Sequence, residues 1–219
     1  MSVSYLFDFD GTLVDSMPTF AASMLQLLDE NNISYGDDLV KIITPLGAHG
    51  TVKYFIDHLG LKMPEDQLMH QMKKYLLDAY LYKIPAKNNV IPVLQELKNR
   101  GASLNILTAS PHITLDACVK RLGLDTLFDN IWSCDDFGTT KADPDIYVQA
   151  AARMHTTVDK VLFLDDNLNA DKTAKSAGMM TCGVYDESSA NYVEEMKAVN
   201  DFYIYDFSEL LDLQLNKKA

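Results

Sequence analysis

Phe7-Asp8-Phe9-Asp10-Gly11-Thr12-Leu13-Val14-Asp15-Ser16 is the stretch on which the reading of this chain turns. It closes the apolar run 5–7, so two carboxylates stand two residues apart at the end of a strand-like segment. In an extended chain, residues i and i+2 point to the same side. Asp8 and Asp10 can therefore share one pocket at the carboxyl end of a strand, where parallel α/β sheets bind ligands. Gly11 lets the backbone turn close to a ligand. An Asp-Gly pair alone would be an ordinary turn, but the full ten-residue string is much more specific.

Outward from this stretch, short apolar runs at 104–107, 130–133, 161–164, 180–184 and 202–205 alternate with helical patterns at 90–99, 113–122, 144–154, 169–177 and 190–199. Gly101, Gly123 and Gly178 fall just after three of these helices, where a left-handed residue is wanted. The alternation predicts βαβ units and a mostly parallel sheet. Residues 17–86 break the rhythm. Phe20, Met24, Leu27 and Leu28 make one helical face; Val52, Phe55, Ile56 and Leu59 a second; Leu68, Met72, Tyr75, Leu76 and Ala79 a third. Pro18 and Pro64 sit where helices could start. This segment reads as a helical insert, hinged near 14–17 and 85–89. It carries 6 Lys against 8 acidic residues, so most of the chain's net charge of −12 lies outside it.

A chain this acidic repels nucleic-acid backbone. Any phosphate site must be made locally attractive by metal, Lys or backbone N–H groups. No run reaches the length of a spanning helix. Residues 1–4 lack a basic region, so the expectation is no signal peptide and a cytoplasmic protein. Cys118, Cys134 and Cys182 form no CxxC pair and read as buried free thiols. The tail, 216–219, reads as frayed.

The first stretch resembles the opening motif, DxDGT, of the haloacid dehalogenase-like hydrolase superfamily. Three further motifs of that family have counterparts in the expected order. Ile106-Leu107-Thr108-Ala109-Ser110 fits the Thr or Ser at a later strand end. Thr140-Lys141-Ala142-Asp143-Pro144-Asp145-Ile146-Tyr147 is similar to the Lys motif, and Phe163-Leu164-Asp165-Asp166-Asn167 to the acidic pair. The resemblance covers nearly the whole chain. It implies an α/β fold: a three-layer Rossmann-like core with a parallel sheet (1–16 and 87–219) and an inserted all-helical cap (17–86).

It also implies a chemistry that elementary considerations support. A phosphate ester resists attack because both reactants are anionic, so catalysis means positioning, a metal and a place to put charge. The resemblance makes Asp8 the nucleophile, forming an aspartyl-phosphate. Asp10 becomes the acid and base for the leaving oxygen and the attacking water. Asp8, the Asp10 carbonyl, Asp165 and Asp166 are the expected ligands of Mg²⁺, with Asp166 direct and Asp165 assisting. Lys141 and Thr108, with N–H groups of the turn through Ala109 and Ser110, would hold the transferring phosphoryl group.

The stretch 45–53 is similar to the substrate-specificity loop of phosphoglycolate-phosphatase-type members, in which His49 or Lys53 would meet a substrate anion. Helix capping by His49 and solvation by Lys53 explain these two residues equally well. The expected activity is hydrolysis of a small phosphorylated metabolite by a monomer binding neither nucleic acid nor membrane. A β-phosphoglucomutase-like reaction is the alternative, disfavoured because no Arg occurs in residues 17–86. A dehalogenase is disfavoured by the presence of Asp10, and a Schiff base at Lys53 by the lack of other likeness to phosphonate hydrolases. A catalytically idle binding or regulatory relative is the reading from another class. His112 could reach a substrate, Asp143 and Asp145 read as helix caps, Asp171 as a cap or a solvent-facing residue, and Trp132 as packing.

Overall fold

The computed structural model describes residues 4–43 and 46–215. Pro45 of the expected specificity loop, residues 1–3 and the tail 216–219 lie outside the described residues. The chain opens with β1 (Ser4–Phe7), all four residues buried. Four helices follow: α1 (Met17–Glu30), α2 (Leu39–Ile43), α3 (Gly47–Asp57) and α4 (Glu65–Tyr82). Then come α5 (Val90–Asn99), β2 (Ser103–Thr108), α6 (His112–Arg121), β3 (Asn130–Ser133), α7 (Asp145–Arg153) and β4 (Val161–Asp165). The remainder is α8 (Leu168–Ser176), β5 (Met180–Val184), α9 (Val193–Val199) and β6 (Phe202–Ile204).

The strands form one sheet in the order β3-β2-β1-β4-β5-β6, with each neighbouring pair parallel. Alternation along β1 sends its side chains to opposite faces. Leu6 packs with Ile146 and Tyr147 of α7 and with Ala170 and Ala174 of α8. Phe7 turns to the other face, where its ring meets Phe128 and Phe207. Apolar layers on both faces make the three-layer Rossmann-like arrangement. The strand order reverses on either side of β1, and that switch point is where ligands bind in such sheets.

One predicted helix starts later than its pattern suggests. The Asp186 carboxylate accepts the Ser188 N–H and opens a 3₁₀ turn at Glu187–Tyr192, so α9 begins only at Val193. Gly101, Gly123 and Gly178 follow their helices with positive φ.

The chain divides into two compact units, Met1–Asp15 with Pro85–Ala219, and Ser16–Ile84. The second is wholly helical among its described residues. Its core joins Met24, Leu27 and Leu28 of α1 to Val52 and Phe55 of α3 and to Leu68 and Met72 of α4. In the first unit the outgoing and returning segments lie side by side. Asp15 N–H donates to the Pro85 carbonyl at 3.0 Å, Lys87 N–H donates to the Leu13 carbonyl at 3.0 Å, and Val14 bridges Ala86. Among the described residues no helix is long and apolar enough to cross a membrane.

Candidate active site

β1 ends at Phe7, which is in register with Ile106 of β2 and Leu164 of β4. The Asp8 N–H extends the ladder one step by donating to the Leu164 carbonyl at 2.8 Å. This step places Asp8 at the same level as Asp165, the last residue of β4. Lys141, in the loop before α7, puts its ammonium between them, donating to Asp8 Oδ1 and, at 2.8 Å, to Asp165 Oδ2. Tyr147 fixes that loop, its hydroxyl lying 3.1 Å from the carbonyl oxygens of both Lys141 and Ala170. The other Asp165 oxygen accepts the Asn167 N–H at 2.8 Å, and Asn167 in turn caps α8.

Asp166 is buried against the turn after β1. Its Oδ1 accepts the Thr12 hydroxyl at 3.1 Å. Gly11 has φ +76°, and a Cβ there would fall 2.4 Å from Asp166 Oδ2, so only glycine permits this approach. One carboxylate oxygen from each of Asp8, Asp165 and Asp166 lies within 4.8 Å of the others. The Asp10 carboxylate is held differently: its Oδ2 accepts the Ser110 hydroxyl at 2.5 Å. Thr108 is buried at the end of β2, and its Oγ1 accepts the Ser110 N–H at 3.1 Å, shaping the turn that continues through the exposed Ala109.

Burial, reinforced by Asp165 and Asp10 and opposed by Lys141, pushes the Asp8 carboxyl up to about 7. Burial and then Asp165, Asp8 and Asp186 push Asp166 well above the ordinary carboxylate range. Burial alone would lower Lys141, but Asp165 and Asp8 hold its ammonium well above the usual lysine value. Were all three carboxylates ionised, the one ammonium would leave about two negative charges uncompensated in a low-dielectric pocket. Every donor is a hard oxygen. Charge and donor type together fit a hard divalent cation, and Asp8, Asp165 and Asp166 are the residues that would hold it.

The remaining expected site residues lie elsewhere. His49 and Lys53 belong to the helical unit, both exposed on α3. His49 Nδ1 stands 3.6 Å from Glu65 Oε1, and it lines an open cleft with Glu65, Asp66, Met69, His70 and Lys73. His112 has both ring nitrogens engaged by carboxylates, Asp116 at 2.9 Å and Asp136 at 2.8 Å. Asp143 accepts the Asp145 N–H at 3.0 Å just ahead of α7, whose N-cap position is held by Pro144, and Asp145 is the acidic residue of its first turn. Trp132 packs edge-on against Phe137, and the three cysteines are buried and free. Asp171 departs from expectation: it is fully buried and accepts the Asn200 amide at 2.6 Å. Its place on α8 turns it toward α9 rather than to water, because Asn167 already caps the helix. Sequence reasoning also gave no role to Thr12, although it lies inside the first motif, nor to Lys87, which nothing local marks out.

Fold and cluster together define an α/β protein that gathers carboxylates and a lysine at the sheet's switch point. The profile of the family described as "Haloacid dehalogenase-like hydrolase" matches residues 5–184, and the chain belongs to that family of enzymes. It is 25% identical over 177 residues to a phosphorylated carbohydrates phosphatase of Thermotoga maritima, covering 80% of this chain and 81% of the relative. It is 27% identical over 221 residues to a phosphoglycolate phosphatase of Colwellia psychrerythraea, covering 94% of each. Among solved structures, a HAD family hydrolase from Deinococcus radiodurans with bound phosphate and sodium superposes with a TM-score of 0.79 at 19% identity, over 95% of this chain and 93% of that one. That likeness concerns the fold.

Proposed function

We propose that this protein is a Mg²⁺-dependent phosphatase that hydrolyses a small phosphate monoester through an aspartyl-phosphate. The observation that carries the reading is the buried Asp8–Asp165–Asp166 cluster bridged by Lys141 at the carboxyl ends of β1 and β4. The named relatives that act on phosphorylated compounds support it.

Asp8 attacks phosphorus through a carboxylate oxygen, and the bond from phosphorus to the ester oxygen breaks. Asp10 gives its proton to that leaving oxygen, so the product departs as an alcohol. In the second half Asp10 takes a proton from water, whose oxygen attacks the phosphorus of the aspartyl-phosphate. The bond to Asp8 breaks, phosphate leaves, and Asp10 is protonated again. Ser110 keeps Asp10 pointed at the oxygen it serves. Lys141, beside Asp8, and the Thr108 hydroxyl, with turn N–H groups, bear on the equatorial oxygens of the transferring group. Asp8, Asp166 and the Asp10 carbonyl, with Asp165 assisting, would hold Mg²⁺, which when bound would supply the positive charge that lets a carboxylate approach a phosphate. Asp166 suits the direct role better than Asp165, both of whose oxygens already accept hydrogen bonds.

The helical unit, residues 17–86, serves as the cap domain, and His49 and Lys53 contribute to the choice of substrate. The protein works as a cytoplasmic monomer. Hydrolysis of p-nitrophenyl phosphate tests the core of the reading. Turnover should need Mg²⁺, stop with EDTA, and fall by at least about a thousandfold in Asp8→Asn, which removes the nucleophile. Wild-type turnover in that variant would overturn the mechanism.

A further inference from the structure

Lys87 lies where the chain returns to the α/β unit, far in sequence from every group its side chain touches. Its Nζ stands 2.6 Å from the Gly11 carbonyl oxygen, 2.6 Å from that of Tyr185 and 3.0 Å from Asp186 Oδ2. An ammonium has three donors, and here each has an acceptor. The pair is shielded, with side-chain exposures of 21% for Lys87 and 6% for Asp186, so solvent weakens it less than it would a surface ion pair. The Lys87 backbone N–H holds the same turn again, through the Leu13 carbonyl at 3.0 Å.

That turn is the one that shapes the acidic cluster. Gly11 is packed so tightly on Asp166 that a Cβ has no room, and the next residue, Thr12, donates its hydroxyl to Asp166. A shift of the turn must therefore move Asp166. The turn also follows Asp10 directly, so it sets where the Asp10 carbonyl faces.

We propose that Lys87 is a positioning residue of the active site: its ammonium pins the turn behind Asp10 to the loop after β5, and so holds Asp166 and the Asp10 carbonyl in their working arrangement. The proposal rests on the phosphatase reading. A lysine that merely stabilised the fold would be felt in melting temperature alone, whereas this one should be felt at the metal and in turnover.

The test uses the full chain as wild type, Lys87→Met, Lys87→Gly and Asp186→Asn. Four quantities are read: kcat and KM on p-nitrophenyl phosphate, the Mg²⁺ dissociation constant by calorimetry without substrate, and melting temperature. Lys87→Met should stay folded at the assay temperature, lose about tenfold in kcat with KM within about threefold, and bind Mg²⁺ at least about threefold more weakly. Methylammonium or ethylammonium added to Lys87→Gly should restore part of both losses while leaving wild type unchanged.

Folded Lys87→Met with wild-type kcat and Mg²⁺ affinity would overturn the proposal, whatever its melting temperature. Should neither Lys87 variant fold, Asp186→Asn decides. It leaves the two carbonyl bonds in place, so a smaller loss of the same kind supports the proposal and wild-type behaviour refutes it. Absence of wild-type turnover on any phosphate ester would sink the phosphatase reading instead, and the Mg²⁺ calorimetry would still judge Lys87.

Discussion

A hydroxyl 2.5 Å from Asp10 Oδ2 helps to orient that carboxyl. Ser110→Ala removes this hydrogen bond, and in the proposed mechanism the carboxyl would then face the leaving oxygen for less of the time. Because Ser110 is only partly buried, the change should hardly touch stability. We expect kcat to fall about tenfold and KM to change little, which steady-state kinetics on an aryl phosphate will read. At this scale most of the candidate site was legible in advance. Asp8, Asp10, Thr108, Lys141, Asp165 and Asp166 all stand in short strings whose order and strand-end placement carry the signal. Thr12 and Asn167 were given no role, and Asp171 was read as a cap or a solvent-facing residue, because what they do depends on a partner that no local pattern specifies. Asp171 has the look of any acidic residue on an exposed helix, yet it is buried by the approach of Asn200 after α9.

At the level of elements, α6 begins where the turn after Thr108 ends, and His112 ties that beginning to the 3₁₀ segment Cys134–Phe137 through Asp136. Hydrogen bonds donated to the Asp116 and Asp136 carboxylates raise the imidazole above its ordinary value. A raised folded value means that this stabilisation is fully present below the unfolded histidine value of about 6.5 and is lost as pH rises through the folded value. Wild type should therefore exceed His112→Asn in melting temperature most at mildly acid pH, and the gap should close in alkaline buffer. A gap that grew with pH would contradict the assignment. The strands and helices of the α/β unit were readable because each satisfies a simple rule: apolar runs at strand length, faces repeating at helical spacing, and a glycine after the helix. The late start of α9 was not, since Asp186 begins a 3₁₀ turn there and the apolar spacing does not distinguish the two helices.

For the molecule as a whole, the cluster makes cation binding and folding one problem. Without metal, burial pushes native Asp8 up to about 7, well above the ordinary carboxylate value of 3.8, so the native state binds more protons than the unfolded chain in between. Metal-free stability should then fall as pH rises across that interval. On the proposed reading, millimolar Mg²⁺ would need the ionised carboxylates and would reverse the penalty. The rise in melting temperature on adding Mg²⁺ should accordingly be larger near pH 8 than near pH 5, and Asp166→Asn should reduce it. An equal rise at both pH values would mean that Asp8 is ionised throughout.

The alternating pattern and the four motifs announced a parallel α/β unit with a helical insert, and the residue types that do the chemistry. These are local properties: burial periodicity, turn chemistry and the composition of strand ends are all written within about ten consecutive residues. Which oxygen meets which donor was decided only when β1, β2 and β4 came into register, setting Asp8 level with Asp165 and Thr108 one residue further along β2. The Lys87 contacts to Gly11 and Asp186 belong to the same class. They join residues 76 and 99 positions apart, and a contact of that span is produced by the packing of the whole unit, leaving no periodicity or motif in the chain that makes it.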